Sequence, residues 1–119
     1  MKNITVNGRL VNKPELRTVN VRNKETAVMT FTIANNDNCK NHDGKLDPAN
    51  TDYFDITVWG PYAQRLSKYL NTGRNVLVNG TPHVERYTAK DGTNRRHFTI
   101  VAKEVTFLDA APKKETQIG

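Results

Sequence analysis

The sequence predicts an all-β domain with one short helix, wound as a five-stranded, partly open barrel with a protruding hairpin. Three observations carry this reading. Apolar and polar residues alternate with period two in several segments, one helical apolar pattern interrupts them after the third, and Lys90-Asp91-Gly92 marks a tight turn between two further arms. With 119 residues and 36% hydrophobic content, the chain has apolar material for one compact core.

Ile4, Val6, Gly8 and Leu10 fall on one face of the first strand, Thr5, Asn7 and Arg9 on the other, and Asn12-Lys13-Pro14 breaks it. Ala27, Met29, Phe31 and Ile33 repeat the pattern in a second strand. Residues 35–52 hold almost no large apolar side chain and read as a mobile loop. Phe54, Ile56 and Val58 then form the apolar face of a third strand.

The helix starts at Gly60-Pro61, where the proline's missing N–H is not needed. Tyr62, Leu66, Tyr69 and Leu70 recur at helical spacing, and Gly73 offers the left-handed residue that ends it. A fourth strand over 75–80 places Val76 and Val78 inward, arms over 84–87 and 96–102 flank the Lys90-Asp91-Gly92 turn, and Val105, Phe107 and Leu108 close the domain at residue 108. Residues 109–119 are small and polar and read as a short flexible tail. The order, three strands, helix, hairpin and final strand, is the topology of an OB-fold.

A formal charge of +6 and a pI near 9.6 favour a polyanionic partner, nucleic acid first and an anionic membrane surface second. No apolar run is long enough to span a membrane, and Met1-Lys2-Asn3 leads into a patterned strand instead of a signal peptide, so a soluble cytoplasmic, nucleoid-associated chain with no membrane partner is expected. Cys39 is the only cysteine, which excludes an intramolecular disulfide. Cys39 and His42 have ligand-like spacing, with His83 and His97 as conceivable companions, yet no second close pair joins them and no metal or other cofactor is expected. Asp52 and Asp55 form no convincing catalytic pair, and there is no phosphate-cradling glycine loop or nucleophile elbow, so no enzyme is expected.

The third strand carries the sharpest functional signal. With Phe54, Ile56 and Val58 inward, Tyr53, Asp55, Thr57 and Trp59 must point the other way. Aromatics on a rigid strand stack on any nucleobase, because every base presents a flat π face. Tyr87, beside Arg86 on the hairpin arm, is a third stacking candidate, and Lys90, Arg95 and Arg96 are placed to follow a phosphate backbone. Arg9 and Arg17 are further phosphate candidates, with Glu15 and Glu85 as neighbours that would weaken the positive field.

Taken in order, Val6-Asn7-Gly8-Arg9-Leu10, Lys13-Pro14-Glu15-Leu16-Arg17, Phe31-Thr32-Ile33-Ala34-Asn35, Val58-Trp59-Gly60, residues 63–70, Gly73, Val78-Asn79-Gly80, and Tyr87 with Asp91-Gly92 resemble the bacterial-type single-stranded DNA-binding (SSB) family over residues 1–108. The resemblance implies an OB-fold that coats unpaired DNA with little sequence preference in replication, recombination and repair. It implies stacking by Tyr53, Trp59 and Tyr87, assembly as a homotetramer, and no catalysis. It also exposes departures: Cys39 stands where relatives carry a further aromatic, and His83 and Glu85 where they carry basic residues at the base of the hairpin. Relatives continue into a long tail with an acidic, phenylalanine-ended tip that recruits enzymes, whereas this sequence ends Lys113-Lys114-Glu115-Thr116-Gln117-Ile118-Gly119. That ending fits either a shortened chain or a tail-less paralogue, and tip-dependent recruitment is not expected of it. A second reading, from a related fold, is a primosomal PriB-like adaptor whose main contacts are with proteins.

Overall fold

The computed structural model describes residues 1–37, 44, 45, 47 and 50–109. Most of the loop predicted over 35–52, including Cys39 and His42, and the tail from residue 110 lie outside them. The elements are β1 (Ile4–Leu10), β2 (Glu15–Val21), β3 (Lys24–Asn35), β4 (Asp52–Trp59), α1 (Pro61–Ser67), β5 (Asn75–Thr88) and β6 (Asn94–Phe107). The sheet runs β1-β5-β6-β4-β3-β2, and an additional β1–β3 pairing returns the far side to the start. Five strands therefore close a ring, with β2 hanging outside it on β3, and the predicted OB-type barrel is the observed one. Among the described residues, no helix is long and apolar enough to cross a membrane.

β2 is an element that alternation does not reveal. Neither of its faces is apolar: Leu16, Thr18 and Asn20 alternate with Glu15, Arg17 and Val19, and all but Val19 are exposed. What builds it is the turn. Val21 pairs with Lys24 across Arg22-Asn23, whose φ values of 52° and 66° are both left-handed, as a two-residue hairpin turn requires. Arg17, a phosphate candidate from the sequence, thus sits within a strand.

One edge of β3 serves two partners. Glu15–Val21 pairs with the first half of β3, while Ile33 and Ala34 pair with Leu10 and Arg9 of β1. Between the two ladders, Val11 N–H donates to the Thr32 carbonyl at 3.0 Å and Thr32 N–H donates to Asn12 Oδ1 at 3.0 Å, so the handover leaves no backbone group of Thr32 unpaired.

The predicted fourth strand, hairpin arms and closing strand fuse into two 14-residue strands, β5 and β6. They reach from barrel to hairpin because a bulge at Asn79/Gly80 bends them without breaking them. Glycine is required there: a Cβ on Gly80 would lie 2.2 Å from the Val101 carbonyl oxygen. The helix is shorter than its apolar spacing suggests. It ends at Ser67, after which Tyr69 and Leu70 N–H groups both donate to the Leu66 carbonyl, leaving Leu70 buried and Tyr69 exposed past the helix end. Leu66 and Leu70 join Met29, Phe31, Ile33, Ile56, Val58, Val76, Val78 and Ile100 in one core. That core holds β4 rigid, with its odd-numbered residues turned outward.

Candidate nucleic-acid interface

The outward alternation on β4 holds. Tyr53 and Trp59 are 63% and 44% exposed, while Ile56 and Val58 are fully buried. Register then supplies what sequence could not. Tyr53 pairs with Ala34, which pairs on its other side with Arg9; Trp59 pairs with Val28, which pairs with Arg17. Two rows result, each an arginine, a smaller residue of β3 and an aromatic. Neighbouring strands are about 4.8 Å apart, so each arginine backbone stands roughly 10 Å from its aromatic. Along β4 the rows are six residues apart (59 − 53), or about 20 Å of strand, which at about 3.4 Å per stacked nucleotide spans about six nucleotides.

The hairpin carries the third aromatic. Tyr87, 50% exposed, pairs with Arg95, whereas Arg86 pairs with Arg96. By alternation Tyr87 and Arg95 share one face and Arg86 and Arg96 the opposite one, so sequence adjacency of Tyr87 and Arg86 does not make them partners on a face. A concavity of about 400 Å³ is lined by these four with Thr88 and Asn94. At the tip, Gly92 takes φ 87° and Asp91 accepts from Thr93 N–H and Oγ1, which holds its carboxyl below the ordinary value. Arg95 reaches Asp91 at 3.4 Å in an exposed pair, and Arg9 Nη1 donates to the Gly73 carbonyl at 2.9 Å. Among the described residues, the side chains of Arg17, Arg86, Lys90 and Arg96 have no hydrogen-bond or ionic partner.

The centre of the face is not basic. Asp55, midway along β4, accepts from Thr32 Oγ1 at 2.7 Å and from His97 Nε2 at 2.6 Å. Burial pushes its carboxyl up, but the hydrogen bonds from His97 and Thr32 and the charge of His97 outweigh that, and the group stays below the ordinary carboxylate value. A 340 Å³ pocket bordered by Glu15, Thr57, Asp55 and His97 opens here, and a 190 Å³ hollow beside Trp59 is bordered by His83 and Glu85. His83 and Glu85, where the resemblance noted from the sequence implies basic residues, therefore border the hollow beside Trp59.

Sequence reasoning passed over His97 except as a conceivable metal ligand, and passed over Phe98 altogether. Phe98 is 40% exposed opposite Val84, on the hairpin face away from Tyr87, with its ring edge-on to Phe54 at 6.5 Å between centroids. The signal for both was present in the alternation of residues 94–100, but the partner of His97 is 42 residues away in sequence and appears only when β4 and β6 pair in parallel. No group of three or more His, Cys, Asp or Glu among the described residues is arranged to hold a metal ion.

Comparison with known proteins gives consistent matches. Residues 1–108 match the family model described as the single-strand binding protein family. A single-stranded DNA-binding protein of Clostridium tetani is 34% identical over 116 residues, covering 98% of this chain and 76% of the relative. Single-stranded DNA-binding protein 3 of Clostridium acetobutylicum is 36% identical over 109 residues, covering 92% of this chain and 72% of the relative. Among solved structures, the Plasmodium falciparum SSB in complex with single-stranded DNA superposes with a TM-score of 0.75 at 25% identity, over 92% of this chain and 96% of that one.

Proposed function

Because the chain belongs to the single-strand binding protein family, we propose that it binds single-stranded DNA with little sequence preference and protects it during replication, repair and recombination, without catalysing a reaction. The observation that supports this most is the pair of arginine-to-aromatic rows, Arg9 with Tyr53 and Arg17 with Trp59, spaced along one rigid strand. In this reading Tyr53, Trp59 and Tyr87 stack on bases, and Arg9, Arg17, Arg86, Lys90, Arg95 and Arg96 neutralise phosphates. The strand runs across the outward face of β4 and along the hairpin. An adaptor acting mainly on proteins is not favoured, since the family match spans the whole barrel and the structural neighbour is bound to single-stranded DNA.

The test is a titration of matched single-stranded and duplex DNA at several salt concentrations, read by Trp59 fluorescence, which reports one site because Trp59 is the only tryptophan. Quenching is expected with the single strand, with much weaker binding of duplex, whose bases must be unpaired before they can stack. Affinity is expected to fall with salt at a logarithmic slope of about −0.7 per neutralised phosphate. Equal affinity for both forms would remove stacking from the account, and a salt-independent affinity would remove the basic rim.

Assembly as a homotetramer, located at the nucleoid, completes the proposal. It rests on family membership and on the exposed outer edge of β2, an open row of backbone donors and acceptors. Sedimentation at micromolar concentration is expected to give a mass near four chains, and a monomer would refute the assembly.

A further inference from the structure

We propose that His97 is a further strand-contacting residue whose contact is gated by protonation, so that the chain holds a single strand more tightly when this ring is charged. The inference rests on the strand-binding reading above and adds a residue and a condition to it.

Position is the first support. His97 bonds Asp55, which lies between Tyr53 and Trp59 on the outward side of β4, and the pair therefore stands in the middle of the proposed strand path. Geometry is the second. An ionised carboxylate only accepts, so the 2.6 Å contact to Asp55 Oδ2 fixes the hydrogen on Nε2. Nδ1 is then the open atom of a ring that is 46% exposed. In the neutral ring Nδ1 is an acceptor and has nothing to offer a phosphate oxygen. In the charged ring it is a donor, and a charge-assisted one.

The surrounding charges are the third support. Asp55 faces His97 from β4, Glu85 stands directly across from it on β5, and Glu15 borders the same pocket from β2. His83, also on β5, and Arg95, two residues earlier on the same face of β6, are the basic groups nearest in register, and Arg95 is drawn toward Asp91 at the hairpin tip. With both imidazoles neutral, the path thus has cations at its ends and three carboxylates around its centre. Phosphates crossing that centre meet uncompensated negative charge. Protonating His97 neutralises Asp55 in place and makes Nδ1 a donor.

Thermodynamic linkage fixes the sign. If the bound strand favours the charged ring, binding takes up a proton, and affinity rises as pH falls. Asp55 stays ionised as the ring takes up that proton, its carboxyl being held low by its hydrogen bonds. Each unit by which a bound phosphate shifts such a titration corresponds to about tenfold in affinity.

The experiment measures binding of a labelled oligothymidine, whose bases do not titrate in this range, near pH 5.5 and near pH 8 at one ionic strength. The native chain is expected to bind about three- to tenfold more tightly at the lower pH. His97→Gln, which keeps a donor toward Asp55, is expected to lose most of that difference and to bind at both pH values about as the native chain does at the higher one. His83→Gln is expected to keep it. Asp55→Asn is expected to bind more tightly than the native chain near pH 8, because the central negative charge is gone. Thermal midpoints of each variant at both pH values establish that folded protein is compared. A native affinity that does not change with pH, or a His97→Gln variant with the full native dependence, overturns the proposal while leaving strand binding intact. Failure of the native chain to bind at either pH overturns the strand-binding reading and this proposal together.

Discussion

Removing both rings of β4, in the variant Tyr53→Ala/Trp59→Ala, is expected to weaken single-strand binding by about 2–6 kcal/mol, since each stacked base contributes roughly 1–3 kcal/mol. The two losses should add, because the stations are about 20 Å apart along the strand and share no partner. The single variants separate their roles. Tyr53 is the more exposed ring at 63%, so Tyr53→Ala should cost binding with almost no change in the urea midpoint. Trp59 is 44% exposed and pairs with a fully buried Val28, so part of its ring is packed in the free protein. Trp59→Ala is therefore expected to lose on the order of 1 kcal/mol of folding stability in addition to affinity. Anisotropy of a labelled strand and urea denaturation of the same four proteins check this. A double variant that binds within twofold of the native chain would place the strand on some other surface.

The largest expected effect on stability comes from the opposite side of the same sheet. Phe31→Ala should cost about 3–5 kcal/mol, the usual price of emptying a core aromatic site. Phe31 is 2% exposed, pairs with Ile56 of β4 and lies among the side chains that fill the barrel. Small domains have only about 5–15 kcal/mol in total, so the urea midpoint should fall steeply and the protein should be marginal near body temperature. Well below the new midpoint, where most molecules remain folded, strand affinity should be close to native because Phe31 faces away from the proposed path. A midpoint shift equivalent to under 1 kcal/mol would show that the core has repacked or that the ring is not where the barrel places it.

These variants also bear on the contrast between rim and centre. Cations lie toward the ends of the proposed path, on β1, β2 and the hairpin, while the middle of β4 faces carboxylates and histidines. On the proposed reading, such an arrangement would place most binding energy on the aromatic stations and leave the central phosphates to be tuned.

By itself the sequence determined which faces are apolar and which are not. Alternation at Ile4 to Leu10, Ala27 to Ile33 and Phe54 to Val58 requires burial of one side only, and so it places Tyr53 and Trp59 outward. Gly60-Pro61 likewise marked the start of the helix, because its backbone preference is local, whereas the stop expected at Gly73 came too late: the helix ends at Ser67, with Lys68 as a right-handed cap. Tertiary structure alone decided what has no local signature. β2 has no apolar face and exists through its turn and its pairing with β3; the length of β5 and β6 depends on a bulge that only a close approach of Gly80 to Val101 permits. The same holds for the site. Arg9 joins Tyr53, Arg17 joins Trp59 and His97 joins Asp55 through register between strands distant in the chain, and the hairpin arginines divide between two faces by the pairing of Tyr87 with Arg95. A side chain's direction follows from its own strand's period of two, but its neighbour across the sheet is set by how the whole barrel closes.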